Sequence, residues 1–227
     1  MFSAFFYILA FIFGAIVGSF LNVVILRYNT GAGLKGRSHC FSCRKELASR
    51  DLVPIVSYLI NGGRCRFCGS RVSLQYPLVE LITAALFVLL VWRFSGEIVL
   101  PIFFAYIFSL LMVITVYDLR HKIIPDALVY LFVASSFLHP VLNSLLSGSF
   151  ALLVVGILHS LLSGGIFFLI FWSLWRFSEG RWIGLGDAKL SAGIGVLLGL
   201  ERGFTALVTG FWLGAIIGLF LLLFSRI

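Results

Sequence analysis

The sequence predicts an all-α polytopic membrane protein of about seven transmembrane helices (six to eight), with a small cytoplasmic zinc-ribbon-like loop domain. Three observations carry that prediction. The 227 residues are 61% hydrophobic and only 11% charged, with a mean hydropathy of +1.11, more apolar surface than a water-soluble core can hide. The apolar residues fall in runs near the roughly 20 residues that a helix needs to cross hydrocarbon. All four cysteines lie in the one long polar loop, in two pairs.

Taken in order, the first span is expected near 2–26. It has no basic stretch before it and no small-residue cleavage site after it, so it reads as a retained anchor, residues 1–26, and not as a removed signal peptide. A loop of residues 27–76 follows. The rest, residues 77–227, holds spans near 77–94, 98–118, 124–143, 150–175, 186–200 and 203–224. The break at "NSLLSGS" between the fourth and fifth is weak, and the sixth is short and glycine-rich.

Seven spans place fifteen of the 17 Lys and Arg on one side, among them Arg27, Lys35, Arg120, Lys122, Lys189 and Arg226, and leave Arg93 and Arg202 on the other. Basic residues stay cytoplasmic when loops are short, so the N-terminus is expected outside and the long loop inside. Trp172, Trp175 and Trp182 cluster at the inner end of the fifth span, as an interfacial belt does. The net charge of +8 calls for anionic membrane lipid as a partner and for no nucleic acid.

The loop is too small to build much of a core, and "RSHCFSCRKEL" with "GGRCRFCGSRVS" supplies a staple instead. Cys40, Cys43, Cys65 and Cys68 form C-x2-C, twenty-one residues, C-x2-C, a spacing close to a zinc ribbon. A pair of disulfides is the competing reading, but a cytoplasmic loop favours a metal. Four thiolates close the coordination sphere, so the zinc is expected to be structural. His39 is expected to be a bystander. Gly62, Gly63 and Gly69 are expected to serve the tight turns.

Seven acids remain in or beside the spans: Glu80, Glu97, Asp118, Asp126, Glu179, Asp187 and Glu201. Glu97 and Glu201 belong to external turns, and Glu179 sits beside Arg181. Asp126 suits the first turn of a helix, and Glu80 is expected to pair with a basic loop residue. Asp118 ends the apolar run "SLLMVITVYD", at the end of a helix that disfavours negative charge. Asp187 follows Gly184 and Gly186 at the head of the sixth span, where a plain helix cap is the simplest reading. With the third span running inward and the sixth outward, Asp118 and Asp187 are expected at one cytoplasmic depth. Two carboxyls within hydrogen-bond reach share a proton, and such a pair can activate water against an amide.

The motifs in order, "GSFLNVVILR", the two CxxC knuckles with "DLVPIVSYLINGGRCRFCG", "YPLVE", "DLRHKIIPD" and "GLGDAKL", resemble the bacterial prepilin peptidases, the type IV leader peptidase family of GxGD intramembrane aspartic proteases. The resemblance implies catalytic aspartates at Asp118 and Asp187 and zinc ligands at Cys40, Cys43, Cys65 and Cys68. It further implies a bacterial inner-membrane enzyme that cuts type IV prepilins or type II secretion pseudopilins after glycine on the cytoplasmic side. Methylation of the freed amine with S-adenosylmethionine is implied by the resemblance alone, as no soluble nucleotide-binding pattern is present. Phe41 departs from the proline that members usually have after the first knuckle cysteine. The nine basic residues of the loop oppose a basic leader, which is expected to meet another face near Glu80 or Glu179. The competing readings are a peptidase without methyl transfer, a transporter with paired acids, for which no repeated half is visible, and a non-enzymatic assembly protein.

Overall fold

The computed structural model describes residues 4–31, 33 and 36–224, with the side chains of Leu221 and Phe224 left aside; Lys35 and Arg226, both used in the charge count, lie outside the described residues. Six helical stretches in it are long and apolar enough to cross a membrane, and the described residues contain no strand. The protein is an all-α, multi-pass membrane protein. Its chain forms two compact units, 1–122 and 123–227.

In the first unit, α1 (Ala4–Arg27), α3 (Gln75–Arg93) and α4 (Val99–His121) pack together. Small residues set the approach of α1 to α3: a Cβ on Gly14 would lie 2.8 Å from the Ala84 Cα, and one on Gly18 would lie 2.7 Å from the Glu80 Cα. Apolar attraction between helices is weak in lipid, so close backbone contact of this kind is what holds such a pair. Asn22, 1% exposed, adds a polar tie. Its amide donates to the carbonyls of Gly18 and Tyr76 and its oxygen accepts from Gln75, whose own oxygen accepts from Arg120.

Between α1 and α3 lie a 3-10 turn (Ser49–Leu52) and a short helix, α2 (Val56–Ile60). The two acids of this loop are paired: Glu46 with Arg37 at 3.0 Å and Asp51 with Arg66 at 3.6 Å.

The second unit contains α5 (Asp126–Ser136), α6 (Leu138–Ser147), α7 (Phe150–Ser178) and α8 (Leu185–Phe224). The break between α5 and α6 falls three residues before Pro140, whose ring cannot sit inside a continuous helix; together they make one span, Asp126–Ser147. The expected sixth and seventh spans fall in α8, which is broken at Gly199 (φ 77°, ψ −174°). A Cβ on Gly203 would lie 3.7 Å from the Gly195 Cα, whereas residues eight apart in a straight helix are about 12 Å apart. The chain therefore doubles back at Gly199. Its first half, 185–198, is shorter than the roughly 20 residues of a full crossing. The ring of Phe167 touches the Cβ positions of both Gly195 and Gly203, so α7 packs into the hairpin, and Phe171 stacks on Phe211 beyond it.

Candidate active site and metal centre

The two cysteine knuckles are built alike. In the first, the Cys40 amide donates to Lys45 and Arg44 donates to Cys40, with His39 bridged to Glu46; in the second, Cys65 donates to Ser70 and Gly69 to Cys65, with Arg64 bridged to Arg71. The fourth residue after each pair's start adopts a left-handed conformation, Arg44 at φ 60° and Gly69 at φ 69°. Glycine makes this turn without strain, so Gly69 serves its knuckle as expected, while Arg44 makes the same turn at some cost. Gly62 and Gly63, at φ 57° and 66°, instead close α2 ahead of the second knuckle, through bonds to Leu59 and Tyr58.

The four sulfurs lie within 4.8 Å of one another, and the Cys40 and Cys68 sulfurs are 3.9 Å apart. A tetrahedral zinc with bonds of about 2.3 Å sets its sulfurs about 3.8 Å apart, so the cluster has the dimensions that a metal needs. The described residues show no disulfide, all four thiols being free. Hydrogen bonds already favour ionisation at two of them. The Cys43 amide brings the Cys40 thiol down to about 6, and the Ser70 hydroxyl, 3.1 Å from Cys68, draws that thiol down too. Cys43 goes the other way. Although the Lys45 amide favours its thiolate, desolvation and the neighbouring Cys40 and Cys68 sulfurs push it up to about 11. Three thiols crowding one another resist full ionisation until a cation joins them.

Glu80, 7% exposed, does not meet a basic side chain as expected. One oxygen accepts the Ile55 amide at 2.7 Å, and the Ser19 hydroxyl also donates to the carboxylate. Ile55 has φ 62° and ψ −50°, and the Val56 amide donates back to Pro54 at 2.6 Å, which makes Pro54–Val56 a γ-turn of the strained, non-inverse form. A β-branched residue in this region is rare, and Glu80 is what holds it there. Sequence reasoning found Glu80 by its depth in a span but could not see a partner that is a backbone amide.

Asp118 lies in the last turn of α4, half-buried. Tyr117 beside it is buried, edge-on to Tyr28 at 5.2 Å and over the His121 ring at 4.4 Å. The turn is closed by Lys122, left-handed, donating to the Asp118 carbonyl at 2.7 Å. Within its own unit, the Asp118 carboxylate has no hydrogen bond or ion pair among the described residues.

In the second unit, Asp187 is the third residue of α8, not its cap. Gly184 is the cap, and its amide donates to the Asp187 carboxylate at 3.0 Å while the Asp187 amide returns a bond to Gly184. This is the reciprocal pattern of a capping box with the backbone of glycine in place of a serine, and it fixes where one carboxylate oxygen points. The motif's second glycine serves packing: a Cβ on Gly186 would lie 2.8 Å from that of Ile124. Neither Gly184 nor Gly186 has a positive φ, so space and not conformational freedom explains Gly186. Lys189 bonds Asp126 at 2.7 Å and lies 5.1 Å over the Tyr130 ring. Asp126 thus has a partner beyond the helix dipole. The "IPD" and "GLGDAKL" segments come together at these two contacts. Glu179 pairs with Arg181 at 3.5 Å, both exposed.

Two family profiles match the chain. The bacterial peptidase A24 N-terminal domain matches residues 12–94 and the type IV leader peptidase family matches residues 105–219. Among curated relatives, the prepilin leader peptidase/N-methyltransferase of Bacillus subtilis is 33% identical over 226 residues, covering 96% of this chain and 84% of its own. The protein of the same name from Klebsiella pneumoniae is 32% identical over 199 residues, covering 84% of each chain. That of Pectobacterium carotovorum is 33% identical, covering 84% of this chain and 74% of its own. No solved structure matches the chain.

Proposed function

The chain belongs to the type IV leader peptidase family, and from that premise we propose that it is a bifunctional prepilin peptidase and N-methyltransferase. It cuts the leader from type IV prepilins or type II secretion pseudopilins after glycine, then methylates the new N-terminal amine with S-adenosylmethionine. Asp118 and Asp187 form the catalytic pair. One, ionised, takes a proton from water as it attacks the scissile carbonyl; the other, protonated, stabilises the oxyanion and then protonates the leaving amine.

The observation that carries this reading is the different use of the two carboxylates. One oxygen of Asp187 is oriented by the Gly184 amide, whereas Asp118 stands on a well-fixed helical turn with no partner in its own unit. The first is positioned and the second is available, which is the division of labour a dyad needs.

Cys40, Cys43, Cys65 and Cys68 hold a structural zinc. With four thiolates the ion has no open position for a catalytic water, so its work is to keep the loop of residues 27–76 folded. The enzyme resides in the bacterial inner membrane with its N-terminus outside and its aspartates facing the cytoplasm. Of the two acids considered for meeting the leader, Glu179 is exposed and Glu80 is spent on Ile55, so the leader is assigned to the Glu179 side.

Purified protein in detergent, incubated with a prepilin with and without S-adenosylmethionine and read by mass spectrometry, tests the reading. The expected products are a pilin shortened to the residue after glycine and, with the donor, the same pilin carrying one methyl group. An intact prepilin under both conditions contradicts the peptidase assignment, and a cut but unmethylated pilin contradicts the second activity alone.

A further inference from the structure

The short helix α2 (Val56–Ile60) has two unlike faces. Ser57, Tyr58 and Asn61 turn inward and line a cavity that the loop shares with α1 and α3. Val56, Leu59 and Ile60 turn the other way, with Leu59 70% and Ile60 79% exposed. The stretch around them, "LVPIVSYLINGG" at 52–63, carries no charge. We propose that α2 is an interfacial helix, its outer face sunk among the upper acyl chains of the bilayer and the arginines beside it set against anionic phospholipid headgroups. This goes beyond the peptidase and methyltransferase reading and stands without it, since it needs only the membrane spans.

Depth is the first argument. The 19 residues of α3 (Gln75–Arg93) extend about 28 Å, close to the roughly 30 Å of hydrocarbon, so the head of α3 lies at the edge of that layer. Glu80 is five residues further in, about 7–8 Å along the axis. Its carboxylate accepts the Ile55 amide at 2.7 Å, and α2 begins at the next residue. Glu80 thus ties α2 near the level at which interfacial helices bury an apolar face, about 5–10 Å into the headgroup and acyl boundary.

The surroundings suit that depth. Past α2, the Val72 amide bonds Gly63 at 2.8 Å, and Gly62 and Leu74 line one small hollow, which sets the end of α2 beside the head of α3. Leu74 and Leu78 are exposed there too and continue the apolar surface onto a membrane span. Backbone groups at this level have to be satisfied within the protein. The amides of Ile55, Ser57, Leu59, Asn61, Gly62 and Gly63 all donate inside the chain.

Charge selects the headgroup. Arg50, Arg64 and Arg71 are exposed, and the ion pairs among the described residues use none of them. An anionic leaflet attracts such a cluster. A second copy docked face to face would set the same arginines against one another.

The test uses the full chain in lipid nanodiscs that contain phosphatidylglycerol and a phospholipid with a diazirine high in its acyl chain. After ultraviolet labelling, adducts are mapped by mass spectrometry on tryptic peptides. Trypsin cuts after Arg50 and Arg64, so the whole segment leaves as one peptide, 51–64. Adducts are expected on 51–64 as on the spans, and not on the knuckle peptides 38–44 and 67–71. Leu59→Glu combined with Ile60→Glu should lower the yield on 51–64 about tenfold, because carboxylates are kept out of hydrocarbon. Zinc content and melting temperature in detergent should stay as in the parent, since both side chains are exposed. Discs of phosphatidylcholine alone should also lower the yield on 51–64. A parent yield on 51–64 no higher than on 67–71, with the spans labelled, overturns the proposal, and so does a yield that the double variant leaves unchanged. An unlabelled 51–64 in discs that hold two chains overturns it in favour of a second copy. Equal yields in the two lipids overturn the anionic assignment.

Discussion

At the residue scale, the most informative side chain outside the aspartates is Glu80. A carboxylate one turn inside an apolar helix is costly unless paired, and here it satisfies the amide of a residue in a strained turn. Glu80→Ala should lower stability by about 1–3 kcal/mol through the amide left without its acceptor, read as a lower denaturation midpoint in detergent. Ile55→Gly should go the other way or be neutral, since glycine adopts φ 62° without the β-branched clash. The sequence made Glu80, Asp118 and Asp187 visible because an ionisable group in an apolar run is rare. It did not reveal their partners. Lys189 and Asp126 are 63 residues apart in the chain, and nothing local distinguishes a lysine aimed at a headgroup from one aimed at a carboxylate.

Elements show the same division. Five apolar runs and the doubled sixth were readable from length and hydropathy, because the hydrocarbon thickness dictates both. The fold-back in α8 was readable only as a short glycine-rich run; the turn depends on one residue, Gly199, in a conformation that other residues rarely adopt, with the His159 ring 2.5 Å from where a Cβ would be. Gly199→Ala should therefore destabilise the second unit by about 1–3 kcal/mol, seen as early unfolding of 123–227 in hydrogen exchange. Gly186→Ala should cost a similar amount through overpacking against Ile124. It should also lower cleavage while leaving zinc content unchanged, because the contact lies beside Asp187 and far in sequence from the knuckles. A drop in zinc with Gly186→Ala would show that the effect is a general loss of fold.

For the molecule as a whole, the cysteine spacing foretold a metal-sized cluster because two knuckles can close on one ion only if each turn is tight, and both turns are built to one pattern. Removing zinc with a chelator should make residues 27–73 sensitive to protease while the helical circular dichroism signal is largely kept, since a small loop domain without its metal has too little core to stay folded. The pairing of two aspartates from the two units was argued from topology, and it stands or falls on chemistry. The direct measurement is the rate of prepilin cleavage by Asp118→Asn and by Asp187→Asn, each purified with zinc content and melting temperature equal to the parent's. A shared catalytic pair requires that each variant alone slow cleavage by roughly 10²–10⁴-fold or more, with the double variant little worse than either. Cleavage at the parent's rate by either single variant would contradict the pair.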